Sequence, residues 1–409
     1  MPTTLITFLG RVPKSENGYR RTRYQFADGQ TTDPLAFFGW ALQARIKPQR
    51  MIILGTDGSM WDHLFEGDLD LGSDAGEERL ALIEATANKR VTQAQIDVLA
   101  SALSRKLGCN VGLVIIPYAR DEAEQVELLR AIAGHVQPGD CVHLDVTHGF
   151  RHLPMLALLA ALYLRIARDA QVEGIWYGAF DPDTGQAPVH ELSGLLRIAS
   201  GLQALASFDK DGDYGVFVPL LRQAGLADDA CEALAKAAYF ENILNVGAAT
   251  GELRRARSGL DADRLAPDAA LLLPAIRERL DWLDENRQFE KQTRLARRAL
   301  DRRDYLRAAL YAYEAVITRL CQIARVPPED FSERERVRKD YEERVKKTNG
   351  DERDDYNLLK NLRNQVAHGT RGSLAEVQKA LLNEDAMRAR LDTLIGCIET
   401  GRLPTSGQP

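Results

Sequence analysis

Short apolar runs alternate with amphipathic stretches over the first half of the chain. Five mostly apolar runs of strand length, rich in β-branched residues, are Thr4–Leu9, Met51–Leu54, Val111–Ile116, Cys141–Val146 and Val172–Tyr177. Stretches with a helical period separate them at Glu77–Asn88, Gln93–Leu107 and Glu122–Ala133. Strands that alternate with helices predict an α/β, Rossmann-like domain with a parallel sheet over residues 1–208. The segment Tyr19–Thr32, centred on Asp28 and Gly29, predicts a hairpin inserted after the first strand.

The pattern changes near Phe208, where the strand signal ends. The segment Phe208–Gly215 is rich in aspartate and glycine, which is typical of a linker. Beyond it, apolar residues keep a helical spacing, as at Leu306, Leu310, Tyr313, Ile317 and Leu320. We therefore predict a helical linker or extension at residues 209–290 and an all-α domain at residues 291–409. The charge-dense run Ser332–Asp355 is typical of a solvated helix or a mobile loop.

Composition narrows the class of protein without indicating a function. Hydrophobic residues make up 45% of the 409 residues and charged residues 27%, as in a soluble globular protein. No run reaches the roughly 18 apolar residues that span a bilayer, and the first residues lack the features of a secretory leader. We therefore expect a cytoplasmic protein with no membrane partner.

The five cysteines form no CxxC pair, which argues against a disulfide framework or a cysteine zinc site. A formal net charge of −6 requires any nucleic-acid site to be local.

The strongest local signal follows the fourth predicted strand and reads Asp145-Val146-Thr147-His148-Gly149-Phe150-Arg151. Ligands of open α/β sheets bind at the edge where the parallel strands end. Gly149 allows close approach of the backbone, and Thr147 and His148 can donate hydrogen bonds. Arg151 and the helix N-terminus that follows favour an anionic ligand. Polar loops that contain glycine also follow the first two strands. The predicted ligand-binding residues are Gly10, Arg11, Gly55, Thr56, Asp145, Thr147, His148, Gly149 and Arg151.

Two other interpretations of this loop stay open. Asp145 and Thr147 could cap a turn, with His148 as a hydrogen-bonded structural residue. Asp145, His148 and His152 could instead hold a metal ion, but Gly149 interrupts the helical spacing that such a site would use. The loops contain neither the dinucleotide-binding GxGxxG pattern nor the phosphate-binding GxxxxGK(S/T) pattern. The loops therefore do not favour a function that uses a nicotinamide cofactor or hydrolyses ATP.

The run Asp145-x-Thr147-His148-Gly149 resembles the DxTHG signature of the CRISPR-associated Rossmann-fold (CARF) family. The ends of the first two predicted strands, Thr7–Gly10 and Gly55-Thr56, are also similar to that family. The resemblance covers about residues 1–205. It implies a homodimer whose paired CARF domains bind a cyclic oligoadenylate made by a type III CRISPR complex. The binding residues that it implies are Asp145, Thr147, His148 and Gly149, together with Gly10 and Thr56.

A second signal lies late in the helical half, at Arg363, Asn364 and His368. Asn364 and His368 are four residues apart and share a helix face, and Gly369 is a natural helix stop. In metal-free RNA cleavage the 2′-hydroxyl attacks the adjacent phosphate. A histidine can move the protons, and an arginine can stabilise the charge that develops. The same RxxxxH spacing occurs at Arg130–His135 in the α/β half, so context rather than spacing distinguishes the two pairs.

An arginine followed by asparagine, five residues before a histidine in an all-helical domain, resembles the motif of HEPN ribonucleases. The resemblance covers about residues 295–400. HEPN domains commonly place an acidic residue on an earlier helix near the catalytic arginine, and Glu314 in the stripe Tyr305–Ile323 matches that position. Because a carboxylate at a buried edge needs a cationic partner, we expect Glu314 to pair with Arg363. The alternative is that Glu314 is a solvated flank residue. The predicted catalytic residues are Arg363, Asn364, His368 and Glu314.

The two resemblances together imply an RNA endonuclease of antiviral defence that a cyclic oligoadenylate switches on. They imply a homodimer or a higher oligomer acting on single-stranded RNA. The implied reaction is attack by the 2′-hydroxyl, which gives cyclic phosphate ends and uses no cofactor and no metal. Two alternatives stay open. The protein could be a non-catalytic, ligand-responsive regulator, or a ring nuclease that degrades the cyclic oligoadenylate in its CARF domain.

Overall fold

The computed structural model describes residues 2–16, 18–69, 76–149, 152–347, 350–369 and 374–405. The chain forms two compact units, Met1–Arg197 and Ile198–Pro409. Their boundary falls inside one helix, Ser193–Asp211. The predicted linker Phe208–Gly215 is a folded part of the second unit, because Phe208 and Tyr214 are buried in its core.

A seven-stranded sheet forms the centre of the first unit. The strands of this unit are β1 (Thr3–Leu9), β2 (Lys14–Ser15), β3 (Gly18–Tyr19), β4 (Arg23–Gln25), β5 (Arg50–Gly55), β6 (Asn110–Ile115), β7 (Cys141–Asp145), β8 (Gln171–Gly178) and β9 (Gln186–Glu191). The order across the sheet is β4-β9-β8-β7-β1-β5-β6, and β2 and β3 form a separate hairpin. Strands β8 and β9 pair antiparallel, whereas the other neighbours pair parallel. Strands β7, β1 and β5 are adjacent, so the loops that follow them meet at one edge of the sheet.

Apolar side chains cover both faces of this sheet. Leu5 and Met51 belong to one core cluster, whereas their chain neighbours Ile6 and Ile52 belong to the other. Successive residues of a strand point to opposite faces, so each strand is buried on both sides, and this explains why the strands are nearly continuous apolar runs. The helices of this unit are α1 (Phe38–Ile46), α2 (His63–Glu66), α3 (Gly76–Ala87), α4 (Gln93–Leu107), α5 (Glu122–Gly134), α6 (Leu153–Ala167) and α7 (Ser193–Asp211). The predicted α/β, Rossmann-like fold is confirmed.

The far edge of the sheet differs from the prediction. The expected turn is present, because Gly29 has φ +85° and its N–H donates to the Phe26 carbonyl at 2.9 Å. The residues before the turn do more than form a local hairpin, since β4 adds to the main sheet by pairing parallel with β9. No strand was predicted for Gln186–Glu191, because half of its residues are polar and it contains Pro188, which is uncommon in paired strands.

The second unit is helical in the residues that the structure describes. After α7, its helices are α8 (Val218–Gln223), α9 (Asp228–Asn242), α10 (Val246–Arg257), α11 (Pro267–Arg279), α12 (Gln288–Asp301), α13 (Tyr305–Ile323), α14 (Phe331–Lys347), α15 (Asp351–His368), α16 (Ala375–Leu382) and α17 (Glu384–Glu399). One apolar cluster extends from Leu205 to Leu403, so residues 209–290 share a core with the helices that follow them. Helix α14 is not a mobile loop, because Val337, Tyr341 and Val345 are buried. No helix within the described ranges is long and apolar enough to cross a membrane.

Candidate functional site

The loops after β1 and β7 touch each other at the carboxyl edge of the sheet. A Cβ atom added to Gly10 would lie 2.4 Å from the backbone nitrogen of Gly149. Gly149 has φ +113°, which side-chain-bearing residues rarely adopt. Both positions therefore require glycine. This contact between two backbones fixes the shape of the edge loops.

Asp145 is fully buried and cannot reach a ligand at this edge. Its carboxylate accepts hydrogen bonds from the Thr7 hydroxyl at 2.6 Å and from the Thr147 N–H at 2.9 Å. Burial raises the pKa of Asp145 to about 6, although these hydrogen bonds oppose the rise. The Thr147 hydroxyl accepts a hydrogen bond from the Gly178 N–H at 2.8 Å, which ties the loop to β8. The prediction that Asp145 contacts the ligand is wrong; the residue positions the loop from below.

His148 is an acceptor that caps α1. Its Nε2 accepts a hydrogen bond from the Phe38 N–H at 3.1 Å, and the Tyr24 hydroxyl lies 3.4 Å from the same atom. Burial lowers the pKa of His148 to about 4, so the imidazole is neutral at physiological pH. Asp68 accepts hydrogen bonds from the Ala36 and Phe37 N–H groups just before the helix. Asp68 and His148 together therefore satisfy three successive backbone N–H groups at the start of α1. The predicted role of His148 as a donor to a ligand is wrong for Nε2, since only an unprotonated nitrogen can accept from an amide.

Replacing His148 with glutamine is expected to remove an acid sensitivity of the N-terminal unit. The folded pKa of His148 is about 4, whereas an unfolded histidine titrates near ~6.5. Stability is therefore lost as pH falls through this window, because the unfolded state binds the proton first. A glutamine carbonyl can accept the Phe38 N–H without titrating. The wild-type advantage in free energy of unfolding should shrink by about 2 kcal/mol between about pH 7.5 and about pH 4.5, measured in urea.

Asp145 acts with the opposite sign, since its raised pKa makes the folded state bind a proton near pH 6 before the unfolded state does. Its contribution to stability therefore grows as pH falls from about 6 toward its ordinary value. That contribution is common to both proteins, so the difference between them isolates His148. An identical pH dependence for wild type and His148→Gln would contradict the capping role.

Two cavities open on either side of the Gly149 loop. The first has a volume of about 310 Å³ and lies over β1 and β5; its lining includes Gly10, Arg11, Gly55, Thr56, Ser59, Lys89, Tyr118 and Gly149. The second has a volume of about 240 Å³, and its lining includes Arg11, Arg20, Tyr24, Thr147, His148, Gly149, Tyr177 and Phe180. Arg11 and Gly149 line both cavities. The structure thus brings together eight of the nine predicted ligand-binding residues, with Asp145 beneath the surface; Arg151 lies outside the described residues.

Four residues that no sequence motif indicated give these cavities much of their charge and aromatic surface. Lys89 and Tyr118 line the first cavity, and Arg20 and Phe180 line the second. The Arg20 guanidinium carbon lies 3.6 Å from the centre of the Phe180 ring. None of the four belongs to the loops that directly follow β1, β5 and β7. With Arg11, three cations and several aromatic side chains face the cavities, which suits an anionic ligand that carries planar rings.

The metal interpretation of the loop has no geometric support. The Nε2 atom of His152 lies 3.1 Å from the Tyr118 carbonyl oxygen, whereas Nε2 of His148 accepts from Phe38 and Asp145 contacts two threonines. These side chains face different partners. Within the described residues, no group of three or more histidine, cysteine, aspartate or glutamate side chains is placed to hold a metal ion.

The predicted catalytic residues of the second unit lie at the end of α15. The helix stops at Gly369, which has φ +62°. His368 is exposed, and Arg363 and Asn364 are half-buried one turn before it. The Arg363 guanidinium donates to the Asn364 side-chain oxygen at 2.8 Å and lies 4.9 Å from the centre of the Tyr313 ring. An exposed imidazole and a held guanidinium therefore occupy the same end of one helix.

Glu314 does not pair with Arg363. Its carboxylate forms an ion pair with Arg334 of α14, so the predicted partner is wrong. The sequence could not reveal this, because α14 looked like a solvated helix or a loop rather than a neighbour of α13. Among the described residues, no carboxylate forms an ion pair with Arg363. Its guanidinium therefore keeps its full charge for an incoming anion.

An open groove of about 640 Å³ lies near the end of α15. Its lining includes Val366 of α15, Gly369 just after that helix, and Tyr305, Leu381 and Met387. His368, the residue before Gly369, is exposed but is not part of the groove lining.

The fold and the edge loops define the class of the first unit as a Rossmann-like α/β domain with a ligand site at the carboxyl edge of its sheet. Residues 4–182 match the family described as the CARF domain of the CRISPR system endoribonuclease Csx1. This match lies within the N-terminal unit and covers less than half of the chain, and the resemblance drawn from the DxTHG loop is confirmed.

Two further comparisons extend along the chain. The chain is 23% identical over 384 residues to the CRISPR-associated protein MJ1674 of Methanocaldococcus jannaschii, covering 86% of this chain and 59% of that protein. The chain thus spans about three fifths of the length of this curated relative. Among solved structures, Enterococcus italicus Csm6 bound to cyclic hexa-2′-fluoro-hexa-dAMP superposes with a TM-score of 0.40 and 11% identity, covering 100% of this chain and 96% of that one. A likeness at this level is too distant to establish a shared fold or ligand.

Proposed function

We propose that this protein is a single-stranded RNA endonuclease of type III CRISPR antiviral defence, switched on by a cyclic oligoadenylate that binds its CARF domain. The observation that carries the proposal is the end of α15, where exposed His368 lies one turn from Arg363, a cation without a paired carboxylate in the described residues. The matching CARF family is described as part of an endoribonuclease, which agrees with this assignment. The second unit is then a HEPN-type domain.

The proposed binding site for the cyclic oligoadenylate consists of the two edge cavities. A cyclic oligoadenylate alternates phosphates with flat bases, so it needs cations and aromatic surface at short intervals. Arg11 lies between the cavities, with Lys89 in one and Arg20 in the other. The glycine contact between the loops lets a ligand approach the backbone N–H groups, which favour phosphate. Asp145 holds the loop in shape from below, whereas Thr147 and His148 both hold the loop and line the second cavity.

The cleavage chemistry follows from the side chains at the end of α15. The 2′-oxygen of one nucleotide attacks its own 3′-phosphorus as its proton leaves, and the 5′-oxygen of the next nucleotide departs and takes up a proton. This gives a 2′,3′-cyclic phosphate and a 5′-hydroxyl, and no water enters the step. His368 from one or both copies moves these protons, and Arg363 stabilises the charge on the phosphoryl oxygens. Asn364 orients Arg363 through its side-chain oxygen. Glu314 pairs with Arg334, so we assign it a structural role.

A single histidine and a single arginine make a small active site, and a second copy supplies the rest. Helix α6 carries an exposed apolar stripe of Met155, Leu159, Tyr163 and Ile166, which are 72%, 54%, 47% and 67% exposed. The spacing places all four on one helix face. Exposed apolar stripes of this kind mark interfaces, and α6 begins directly after the DxTHG loop. A homodimer that pairs α6 with its copy would bring two sets of ligand cavities together.

Replacing Leu159 with glutamate is expected to convert the dimer to a monomer, because two charges would be buried opposite each other at the pair of stripes. Leu80→Glu is the matched control, since Leu80 is 67% exposed on α3 of the same unit. Sedimentation equilibrium would show the mass halved for the first variant and unchanged for the second. A Leu159→Glu variant that keeps the dimer mass would place the interface elsewhere.

The proposed function is tested by incubating the full chain with a fluorescent single-stranded RNA in excess chelator, with and without cyclic tetra- or hexa-adenylate. We expect cleavage only with one of these ligands, and 2′,3′-cyclic phosphate ends on the products. Cleavage that stops in chelator and returns with a divalent metal would overturn the mechanism. Loss of the cyclic ligand without RNA cleavage would favour the ring-nuclease alternative.

A further inference from the structure

We infer that Tyr313 is a positioning residue for RNA cleavage: its ring holds the Arg363 guanidinium where other active sites would use a carboxylate, so the cation reaches the phosphate without being neutralised. The inference rests on the proposed function and adds a residue that no sequence motif indicates. Tyr313 lies on α13, fifty residues before Arg363, and belongs to the apolar stripe of that helix.

The contacts of Arg363 leave the Tyr313 ring as its main support. The guanidinium carbon lies 4.9 Å from the ring centre, within the range of a cation–π interaction. One amino group donates to Asn364, and the Nε atom is buried without a hydrogen-bond partner in the part of the chain described. The remaining N–H groups of the Arg363 guanidinium can therefore donate to a bound anion.

A chain of hydrogen bonds fixes the Tyr313 ring from its far side. The Tyr313 hydroxyl lies 3.4 Å from the Tyr356 hydroxyl, and Tyr356 donates to Glu342 of α14 at 2.9 Å. Glu342 also accepts from Lys360 and Arg338, each at 2.7 Å. Tyr313 is only 6% exposed, so the ring has little freedom to turn. The charged helix α14 thus has a role: it anchors the ring that carries Arg363.

The alternative support for Arg363 is occupied. Glu314, the next residue after Tyr313, is held by Arg334 and does not form an ion pair with Arg363. A carboxylate would fix the guanidinium but would also compete with the phosphate for its charge. An aromatic face attracts a cation through its quadrupole and leaves the net charge in place. The arrangement therefore combines a fixed position with a full positive charge.

The test compares three variants of the full chain with ligand present: Tyr313→Leu, Tyr313→Phe and, as the matched control, Tyr311→Leu. Tyr311 is a buried tyrosine of the same helix whose hydroxyl donates to the Glu241 carbonyl, away from Arg363. The probe is a single-stranded RNA with 2′-deoxy sugars at the cleavage position, whose affinity is measured over a series of salt concentrations. RNA cleavage rates are measured in parallel, also in the Arg363→Ala background.

We expect Tyr313→Leu to reduce cleavage by about 10-fold, the scale of a cation–π interaction. The slope of log affinity against log salt should fall by about 0.7, which corresponds to one lost phosphate contact on a single strand. Tyr313→Phe keeps the ring and should stay within about 3-fold of wild type. Tyr311→Leu should leave the slope unchanged, and in the Arg363→Ala background Tyr313→Leu should add no further loss of cleavage or slope.

Two results would overturn the inference: an unchanged salt slope in Tyr313→Leu, or a further loss in the Arg363→Ala background. If Tyr311→Leu lowers the slope equally, packing of α13 rather than the ring face accounts for the effect, and the inference also fails. These outcomes differ from a failure of the proposed function, in which the wild-type protein itself does not cleave RNA with any cyclic oligoadenylate.

Discussion

Replacing His368 with alanine is expected to reduce ligand-dependent RNA cleavage by about 10²- to 10⁴-fold, the usual contribution of a general acid or base. His368 is the exposed last residue of α15, so its removal should leave the core of the helical unit intact. The affinity for cyclic oligoadenylate should be unchanged, because the edge cavities belong to the other unit. Single-turnover cleavage at saturating ligand, with calorimetric titration of the ligand, measures both quantities.

The chain offers a matched control for this substitution. Arg130 and His135 have the same RxxxxH spacing in α5 and the turn after it. His135→Ala removes an imidazole of the same sequence pattern from the α/β unit, and it should leave cleavage at the wild-type rate. Arg363→Ala should show a loss comparable to that of His368→Ala. Cleavage that survives in His368→Ala would mean that the end of α15 is not the active site.

Replacing Gly10 with alanine is expected to weaken binding of the cyclic oligoadenylate by about 100-fold, the effect of overpacking a closed contact. The added methyl group would lie 2.4 Å from the backbone nitrogen of Gly149. A backbone atom cannot swing aside as the end of a flexible side chain can. The loops after β1 and β7 must then separate, which displaces Arg11 and the Gly149 backbone from both cavities. Calorimetric titration with cyclic tetra- and hexa-adenylate measures the loss.

Gly134→Ala is the control, because a Cβ atom at Gly134 meets no atom within 4 Å. It should bind the ligand as wild type does. The Gly10→Ala variant should also lose ligand-dependent cleavage while His368 and Arg363 stay in place. Wild-type affinity in Gly10→Ala would show that the ligand does not depend on the contact between these two loops.

The sequence was most informative where burial on both sides of the sheet dictated the residue type. The strands around Ile6 and Ile52 are apolar at successive positions because both faces are covered, so their period could be read directly. The DxTHG loop could be placed for a related reason, since it follows a buried strand and precedes a helix. In contrast, β9 lies between the short strand β4 and β8, and half of its residues are polar, so its pattern resembles that of a loop.

The chemistry of individual side chains was harder to predict, because it depends on partners far away in the chain. His148 looks like a ligand donor until Phe38, over a hundred residues earlier, is seen to occupy its Nε2 atom. Asp145 looks like a binding carboxylate until its burial against Thr7 is known. Glu314 fits the expected place of a partner for Arg363, yet Arg334 is nearer to it. The edge-loop residues lie together as predicted, but Asp145, Thr147 and His148 also form hydrogen bonds within the protein that the motif did not indicate.

One titration tests the central claim most directly. Cyclic oligoadenylate is added stepwise to the full chain in chelator, and ligand binding and cleavage of a fluorescent single-stranded RNA are followed in the same samples. The account predicts that cleavage is negligible without ligand and rises in proportion to the bound fraction, with the same half-saturation. Binding that saturates while the RNA stays intact would contradict it and would leave a ligand-responsive regulator as the function.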